Sequence, residues 1–312
     1  MQSLVGDFGG TNCRLALVGP GGSGLHSLRS YRNADFPSPE AVLRHFLDDV
    51  RADRVNAACL GVAGPVRGGA VRLTNYPWRV SALTVTESTG AGRVWLLNDL
   101  QAHGYALHGL DGAGLLSLAP GRPSPQDAPR LVVAIGTGVN AAVAHRIGGA
   151  VFVPPSESGH MGLSALDQVD LDFAASVMRE QGHCPTEAAL SGNGLARLWR
   201  MFGGPEEQDG TAVTRAFRGG DLTAEAALRR AALYLGRYCA DLALVHLPFG
   251  GLFLAGSVGL ALAPHLVRLG FLTAFHRAGP YADLLATIPV YAVPDMPLCL
   301  DGCARFLAQE LV

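Results

Sequence analysis

Near the amino terminus, Asp7-Phe8-Gly9-Gly10-Thr11-Asn12 sets a carboxylate, two glycines and a hydroxyl close together. Glycines let a backbone approach a ligand closely, so this turn suits a phosphate cradled by amides, with Asp7 suited to hold a magnesium ion through water. The same residues also make an ordinary hairpin turn. Gly136-Thr137-Gly138 is a second such turn, open to the same two readings. Asn98-Asp99 sets an amide beside a carboxylate, which suits hydrogen bonding to a polyol while one carboxylate oxygen accepts a proton. An Asp in front of a helix also serves as its cap. Glu157-Ser158-Gly159-His160 and Glu187 add two carboxylates and an imidazole to segments otherwise poor in charge. Such groups suit recognition of sugar hydroxyls, with zinc ligation or surface charge as the alternatives. Zinc would need more than His160, His183 and Cys184 at these spacings. Cys299 and Cys303 are four apart and share a helix face, where burial is expected over a redox or metal pair.

These groups need elements to hold them. SLVGD-FGGTN-CRLALV predicts strand, glycine turn, strand. Ser38 to Asp49 predicts a capped helix with Ala41, Val42, Phe46 and Leu47 on one stripe. AACLGVAGP returns to strand, and RVWLLND ends its apolar run on Asn98-Asp99, at a strand mouth where ligands of α/β proteins gather. A helix is expected from Leu100, and residues 110–130, rich in Gly, Pro and Ser, predict a loop near a domain boundary. RLVVAIGTGVNAAVA repeats the opening strand, turn and strand, which points to a duplicated unit. Helices dominate from Val169 onward, notably Thr223 to Val245, followed by a buried strand GLFLAG and a final helix from Leu298 to Leu311. The pattern is α/β with two sheets, each opened by a glycine-turned hairpin.

A chain of 312 residues, 49% hydrophobic, is long enough for two domains with their own cores. Its net charge of −2 and lack of a basic block leave no electrostatic footprint for nucleic acid or an anionic membrane, so a small-molecule partner is expected. All 24 basic residues are arginine. A P-loop lysine, a protein-kinase strand lysine and a Schiff-base lysine are thereby excluded. Phosphate must be met by amides, arginine or a metal. The six cysteines form no CxxC pair, and MQSLVGD runs into a strand without a signal segment, so a cytoplasmic protein with reduced thiols is expected. Residues 242–267 are apolar enough to raise a membrane span, but Pro248, Gly250, Gly251, Gly256, His246 and His265 break them into helix end, strand and second helix.

DFGGTN, LLND, GTG, ESGH and TEAALSG, in this order and joined by TNYPW at 74–78 and FGGLFLAG at 249–256, resemble the bacterial glucokinase family over nearly the whole chain. The resemblance implies the hexokinase, heat-shock-ATPase and actin superfamily. That is a two-domain α/β actin-like ATPase fold, ribonuclease-H-like and duplicated, with a central cleft. The small domain would take residues 1–109 plus 296–312 and the large domain residues 110–295. It further implies ATP-dependent phosphorylation of glucose or a related hexose at the 6-hydroxyl, with ATP and Mg²⁺ as cofactors and a homodimer as the assembly. Asp99 would be the catalytic base, and Asn98, Asp99, Glu157, His160 and Glu187 would bind the hexose. Gly6, Asp7, Phe8, Gly9, Gly10 and Thr11 would lie against the ATP phosphates with Gly136, Thr137 and Gly138. Gly250, Gly251 and Gly256 would lie near the base and ribose.

Four positions depart from the family pattern. Val139-Asn140 stands where Leu-Gly is usual, which is expected to narrow the phosphate turn. Ser257 stands for a second glycine and is expected to crowd the adenine side. Ser158 stands for glycine after Glu157, and Leu300-Asp301-Gly302-Cys303 replaces a Gly-Ser-Gly-like stretch. Asn140 and Ser257 motivate an alternative reading as a non-catalytic sugar sensor. The related repressor and open-reading-frame kinase branch carries a three-cysteine zinc cluster, of which only Cys184 stands at the comparable place, and the opening directly on a strand, without a DNA-binding module, leads to the expectation that this is not a sugar-responsive repressor.

Overall fold

The apolar runs on either side of Gly9-Gly10 are too short for helices and pair with each other instead. In the computed structural model, which describes residues 2–20, 24–74, 76–110, 112 and 114–311, they form an antiparallel hairpin of β1 (Ser3–Phe8) and β2 (Asn12–Val18). Asp7 stands opposite Arg14. Strand β3 (Leu25–Arg32), alternately covered and exposed, closes one edge. The fully buried β4 (Ala57–Val62) runs parallel to β1. After a small ribbon of β5 (Ala70–Arg72) and β6 (Arg79–Ser81), β7 (Arg93–Asn98) runs parallel to β4. The sheet order is β3-β2-β1-β4-β7. The Pro39–Asp49 helix starts where expected, with Ser38 Oγ accepting from the Ala41 amide at 3.3 Å, and buries Val42, Leu43, Phe46 and Leu47. Asn75, one residue of the TNYPW segment, lies outside the described residues, as does Met1 of the opening segment.

The second sheet repeats the plan. β9 (Arg130–Ile135) and β10 (Val139–Ile147) form an antiparallel hairpin, and β12 (Leu252–Ala255) and β13 (Val290–Ala292) follow in parallel beside β9. The residues expected to be loop between 110 and 130 contain a strand, β8 (Leu116–Ala119), antiparallel to β13 at the sheet edge. Its four residues gave too short an apolar run to stand out from the Gly- and Pro-rich sequence around them. With β11 (Ala150–Phe152) the sheet order is β11-β10-β9-β12-β13-β8.

The chain divides into two compact units, one of Met1–Asp111, Arg146–Pro155 and Pro297–Val312, the other of Gly112–His145 and Ser156–Met296. The core of the first gathers Leu4, Phe8, Leu15, Phe46 and Leu60; that of the second gathers Val133, Ile135, Trp199, Tyr234, Phe271 and Phe275. Residues 242–267 are, as expected, the end of the Leu222–His246 helix, then β12, then the start of the Ser257–Leu269 helix. Among the described residues no helix is long and apolar enough to cross a membrane.

Candidate active site

In the first unit, parallel pairing of β1, β4 and β7 sets Phe8, Val62 and Asn98 in one row at the carboxyl ends of the strands. Two strand spacings therefore separate the Asp7 end from the Asn98 end, about 10 Å. The helix Asp99–Ala106 starts at once, and its cap is Asn98, not Asp99 as the strand-end pattern suggested. Asn98 Oδ1 accepts from the Leu100 amide at 3.0 Å, and Gln101 Oε1 accepts from the Asn98 amide at 3.1 Å, which completes a capping box. Asn98 Nδ2 donates to the Gly64 carbonyl at 3.2 Å, so the Asn98 side chain is largely committed to the framework. Asp99 is the first helical residue, half-buried, with Oδ1 accepting from the Leu100 amide at 2.9 Å. Gly61 lets this turn settle on the sheet. A Cβ there would strike Cys299 Sγ and lie 3.6 Å from Asp99 Cα.

The turn after β1 is closed by Gly9 donating to the Asn12 carbonyl at 3.1 Å. It is pinned from behind by Asn33, whose Nδ2 donates to the Gly9 carbonyl at 2.9 Å and whose amide donates to the Thr11 carbonyl at 2.9 Å. Asn33 is fully buried, and a lone Asn just past a strand gave no sequence signal of this role. Gly9, Gly10 and Thr11 form the accessible part of the cradle, whereas Gly6 and Phe8 face the core. A Cβ at Gly6 would lie 2.6 Å from Leu60 Cδ2, so that glycine serves sheet packing. The Cys299 and Cys303 thiols, both buried as expected, donate to the Gly6 carbonyl at 4.0 and 3.8 Å. Burial pushes the Asp7 carboxyl up to about 6, with Arg14 opposing.

In the second unit, the Gly136-Thr137-Gly138 turn is closed by Gly136 donating to the Gly138 carbonyl at 2.9 Å. The Gly136 carbonyl in turn accepts from the Gly192 amide at 2.9 Å. Glu187 sits against this turn, its Oε2 accepting from the Val139 amide at 2.8 Å. Gly138 permits the approach, since a Cβ there would lie 2.8 Å from the same oxygen. Glu157 precedes and His160 ends a short 3-10 turn, Ser158–His160, in which the His160 amide donates to the Glu157 carbonyl at 3.1 Å. Both side chains are exposed. The Glu157 carboxyl is raised by partial burial, with His160 lowering it and Glu187 raising it further, so both of these sequence-predicted groups lie within electrostatic reach of Glu157. Among the described residues no group of three or more His, Cys, Asp or Glu side chains is arranged to hold a metal ion.

A pocket of about 250 Å³ opens beside the turn, lined by Gly136, Thr137, Asn193, Asp209, Thr211 and Ser257 among others. Helices beginning at Gly192, Gly210 and Ser257 present their first turns to it. Helix amino termini carry free amides and partial positive charge, which suits anionic phosphates. Ser191 and Asp209 cap the first two helices, at 3.1 Å to the Gly194 amide and 2.9 Å to the Ala212 amide. The third begins on Gly256, which offers no side-chain cap. Gly256 has φ 83°, and a Cβ there would strike the Ile135 carbonyl oxygen, so only glycine fits. Gly250 and Gly251 are the residues expected near the base and ribose. They lie at the opposite end of β12 from Ser257, with Gly250 against the Ala128 and Pro129 carbonyls, and do not line the pocket. Asn193, Asp209 and Thr211 do line it and were missed, because Asp-Gly-Thr in a polar segment reads as an ordinary helix start. Ser257 stands in the pocket wall. Asn140 does not narrow the turn, because its side chain is turned toward residues 156–158.

A repeated hairpin-plus-parallel-strand sheet bearing glycine turns of this kind defines the two-domain actin-like fold of sugar kinases, and known proteins bear this out. A model of the glucokinase family matches residues 4–310. The chain is 31% identical to a glucokinase of Tolumonas auensis, over 99% of this chain and 98% of that one. Its structure resembles the crystal structure of a glucokinase from an Antarctic psychrotroph with a TM-score of 0.86, at 28% identity and 99% coverage of both. It shares its fold with a ROK family glucokinase from Streptomyces griseus in complex with glucose and AMPPNP, with a TM-score of 0.64 at 21% identity, covering 99% of this chain and 100% of that one. The chain belongs to the glucokinase family.

Proposed function

We propose that this chain transfers the γ-phosphoryl group of ATP to the 6-hydroxyl of glucose, giving glucose 6-phosphate and ADP. The observation that carries the reading is the bond between Glu187 and the Val139 amide, which makes a sugar-type carboxylate and a phosphate-type glycine turn one structural piece. The names of its relatives and the glucose and AMPPNP bound to the Streptomyces griseus enzyme support it.

Asp99 accepts the proton of the attacking hydroxyl, while Asn98, Glu157, His160 and Glu187 orient the sugar. Because Asn98 already caps the Asp99–Ala106 helix, its contribution to the sugar is secondary to its holding of Asp99. Exposed amides of the Gly9-Gly10-Thr11 turn, the Gly136-Thr137-Gly138 turn and the Ser257 helix start meet the phosphates, and the pocket beside Thr137 takes the nucleoside. Phosphoryl transfer needs little covalent help from protein, so positioning and charge neutralisation dominate. Asp7, half-buried beside an amide turn, fits a magnesium ion held through water, and Mg²⁺ when bound offsets phosphate charge. Residues 1–109 with 296–312 serve as the small domain and residues 110–295 as the large one, a division that the two compact units support except at Arg146–Pro155, which belongs with the first unit. A cytoplasmic homodimer supplying glycolysis completes the proposal, with light scattering as the check on assembly.

A coupled assay of ADP release with Mg²⁺-ATP, run with glucose, with other hexoses and without sugar, tests the function. Release that depends on glucose, with a quiet sugar-free control, is expected, because hydrolysis is suppressed until the correct acceptor is bound. Equal release with and without sugar would point to an ATPase and overturn the proposal.

A further inference from the structure

Two of the four departures from the family pattern, Asn140 and Ser158, meet in the structure. Asn140 is the second residue of β10. Its Nδ2 donates to the Ser156 carbonyl at 2.7 Å, and its Oδ1 accepts from the Ser158 amide at 3.0 Å and from the Ala141 amide at 2.8 Å. One side chain thus grips the backbone on both sides of Glu157. Ser158 Oγ lies 3.4 Å from the same Oδ1 and 2.6 Å from the Tyr238 hydroxyl, which reaches in from the Leu222–His246 helix. Ser158 and Tyr238 are 8% and 5% exposed, so their bond is sheltered from competing water. Gly159 completes the seat, since a Cβ there would strike the Val139 carbonyl.

We propose that Asn140 is a positioning residue for hexose recognition, acting with Ser158 and Tyr238 to fix the backbone from which Glu157 projects. This rests on the reading of Glu157 as a hexose ligand. The clamp leaves the Glu157 side chain exposed, with Oε2 3.5 Å from Asn140 Nδ2, and orders the turn that also carries His160. An apolar side chain at position 140 would leave the Ser156 carbonyl without this partner. The Ser158 amide would keep only Ser156 Oγ, at 3.2 Å. The turn would still close, through the bond from His160 to the Glu157 carbonyl. The loss therefore falls on where the carboxylate points rather than on whether the segment folds.

The test compares glucose affinity, by calorimetry and by KM, in Asn140→Ala, Tyr238→Phe and Glu157→Gln variants and in the Asn140→Ala/Glu157→Gln double variant. Asn140→Ala should raise the Kd and KM for glucose about tenfold, the size of one lost hydrogen bond to the site's framework. The KM for ATP and kcat should stay within about twofold, as expected when ground-state and transition-state binding of the sugar fall together. Tyr238→Phe should raise the glucose Kd about threefold. With Glu157→Gln already in place, Asn140→Ala should change it by less than about twofold, because the two act through one group. An unchanged glucose Kd in folded Asn140→Ala protein overturns the proposal, as does a full effect in the Glu157→Gln background. If Asn140→Ala does not fold, Tyr238→Phe decides by the same criterion. A wild-type chain that binds glucose without turning it over removes the kinase reading while the Kd comparison still judges the clamp. A wild-type chain that binds no glucose removes both.

Discussion

Asp7, the residue proposed to hold magnesium, weakens the fold that carries it. Its carboxyl, raised to about 6 by burial, holds its proton more tightly in the folded chain than in the unfolded one. The stability it contributes is fully present below about pH 4 and is lost as the pH rises through about 6. Between pH 4 and pH 7 the stability difference should therefore move by about 2 kcal/mol in favour of Asp7→Asn over the wild type, both without magnesium. Urea titrations at the two pH values check this, and a constant difference would show that the charge on Asp7 is not resisted by the fold. Turnover of Asp7→Asn should fall in the same protein, the usual conflict between stability and activity at a site. At this scale the sequence was informative where the proposed function sits on an unusual residue pair. Asn98-Asp99, Glu157, His160 and Glu187 stood out because charge is sparse around them, and His160 and Glu187 are each brought within electrostatic reach of Glu157. Asn33 was illegible, since its task is to bond two carbonyls, the Gly9 and Thr11 groups, that only the folded hairpin brings beside it.

The Asp99–Ala106 helix is the element on which the proposed base depends. Gln101 anchors it twice, through the capping box with Asn98 and through Nε2 donating to the Val153 carbonyl at 3.0 Å. Gln101→Ala should cost about 1 kcal/mol of stability, the scale of a lost cap. It should also lower kcat more than it raises the KM for glucose, because Asp99 is the next residue to the cap. A stability loss with unchanged kcat, read from thermal melts beside the coupled assay, would separate the cap from catalysis. Element types were legible where periodicity was long or glycine placement marked. Both hairpins, the Pro39–Asp49 helix and the Leu222–His246 helix lie where pattern put them. Strand β8 was hidden because its pairing partner, β13, lies far along the chain and its own four residues are too few to set a period apart from the Gly- and Pro-rich sequence around them. The pocket proposed for the nucleoside was only half legible. Its turn and Ser257 were visible in sequence, while Asn193, Asp209 and Thr211 reach it only because three helix starts converge.

The whole molecule repeats one sheet plan twice in a chain without a single lysine, so every fixed cation is a guanidinium. In the second unit two of these, Arg230 and Arg237, each donate at 2.7 Å to Asp170, which is fully buried. Burial alone would raise the Asp170 carboxyl, but the bonds from Arg237 and the Leu166 amide hold it below the usual range. Removing this charge leaves Arg237 without its carboxylate, so Asp170→Asn should destabilise the protein by about 3 kcal/mol. Urea unfolding at pH 7 reads that loss, and the KM for glucose of the folded fraction should not move. The duplication itself was legible from two glycine turns at similar distances from two apolar strands. The return of the last helix to the first unit, and the excursion of Arg146–Pro155 into it, rest on long-range contacts that no local pattern encodes. In the proposed reaction a glucose hydroxyl gives its proton to Asp99 as phosphate is transferred. The most direct test is the Asp99→Asn variant, with glucose affinity measured by calorimetry and turnover by coupled ADP release. Turnover reduced by about 10² to 10⁴, with glucose still bound, is the result expected for loss of a general base. Turnover close to the wild type in a variant that binds glucose normally would contradict it.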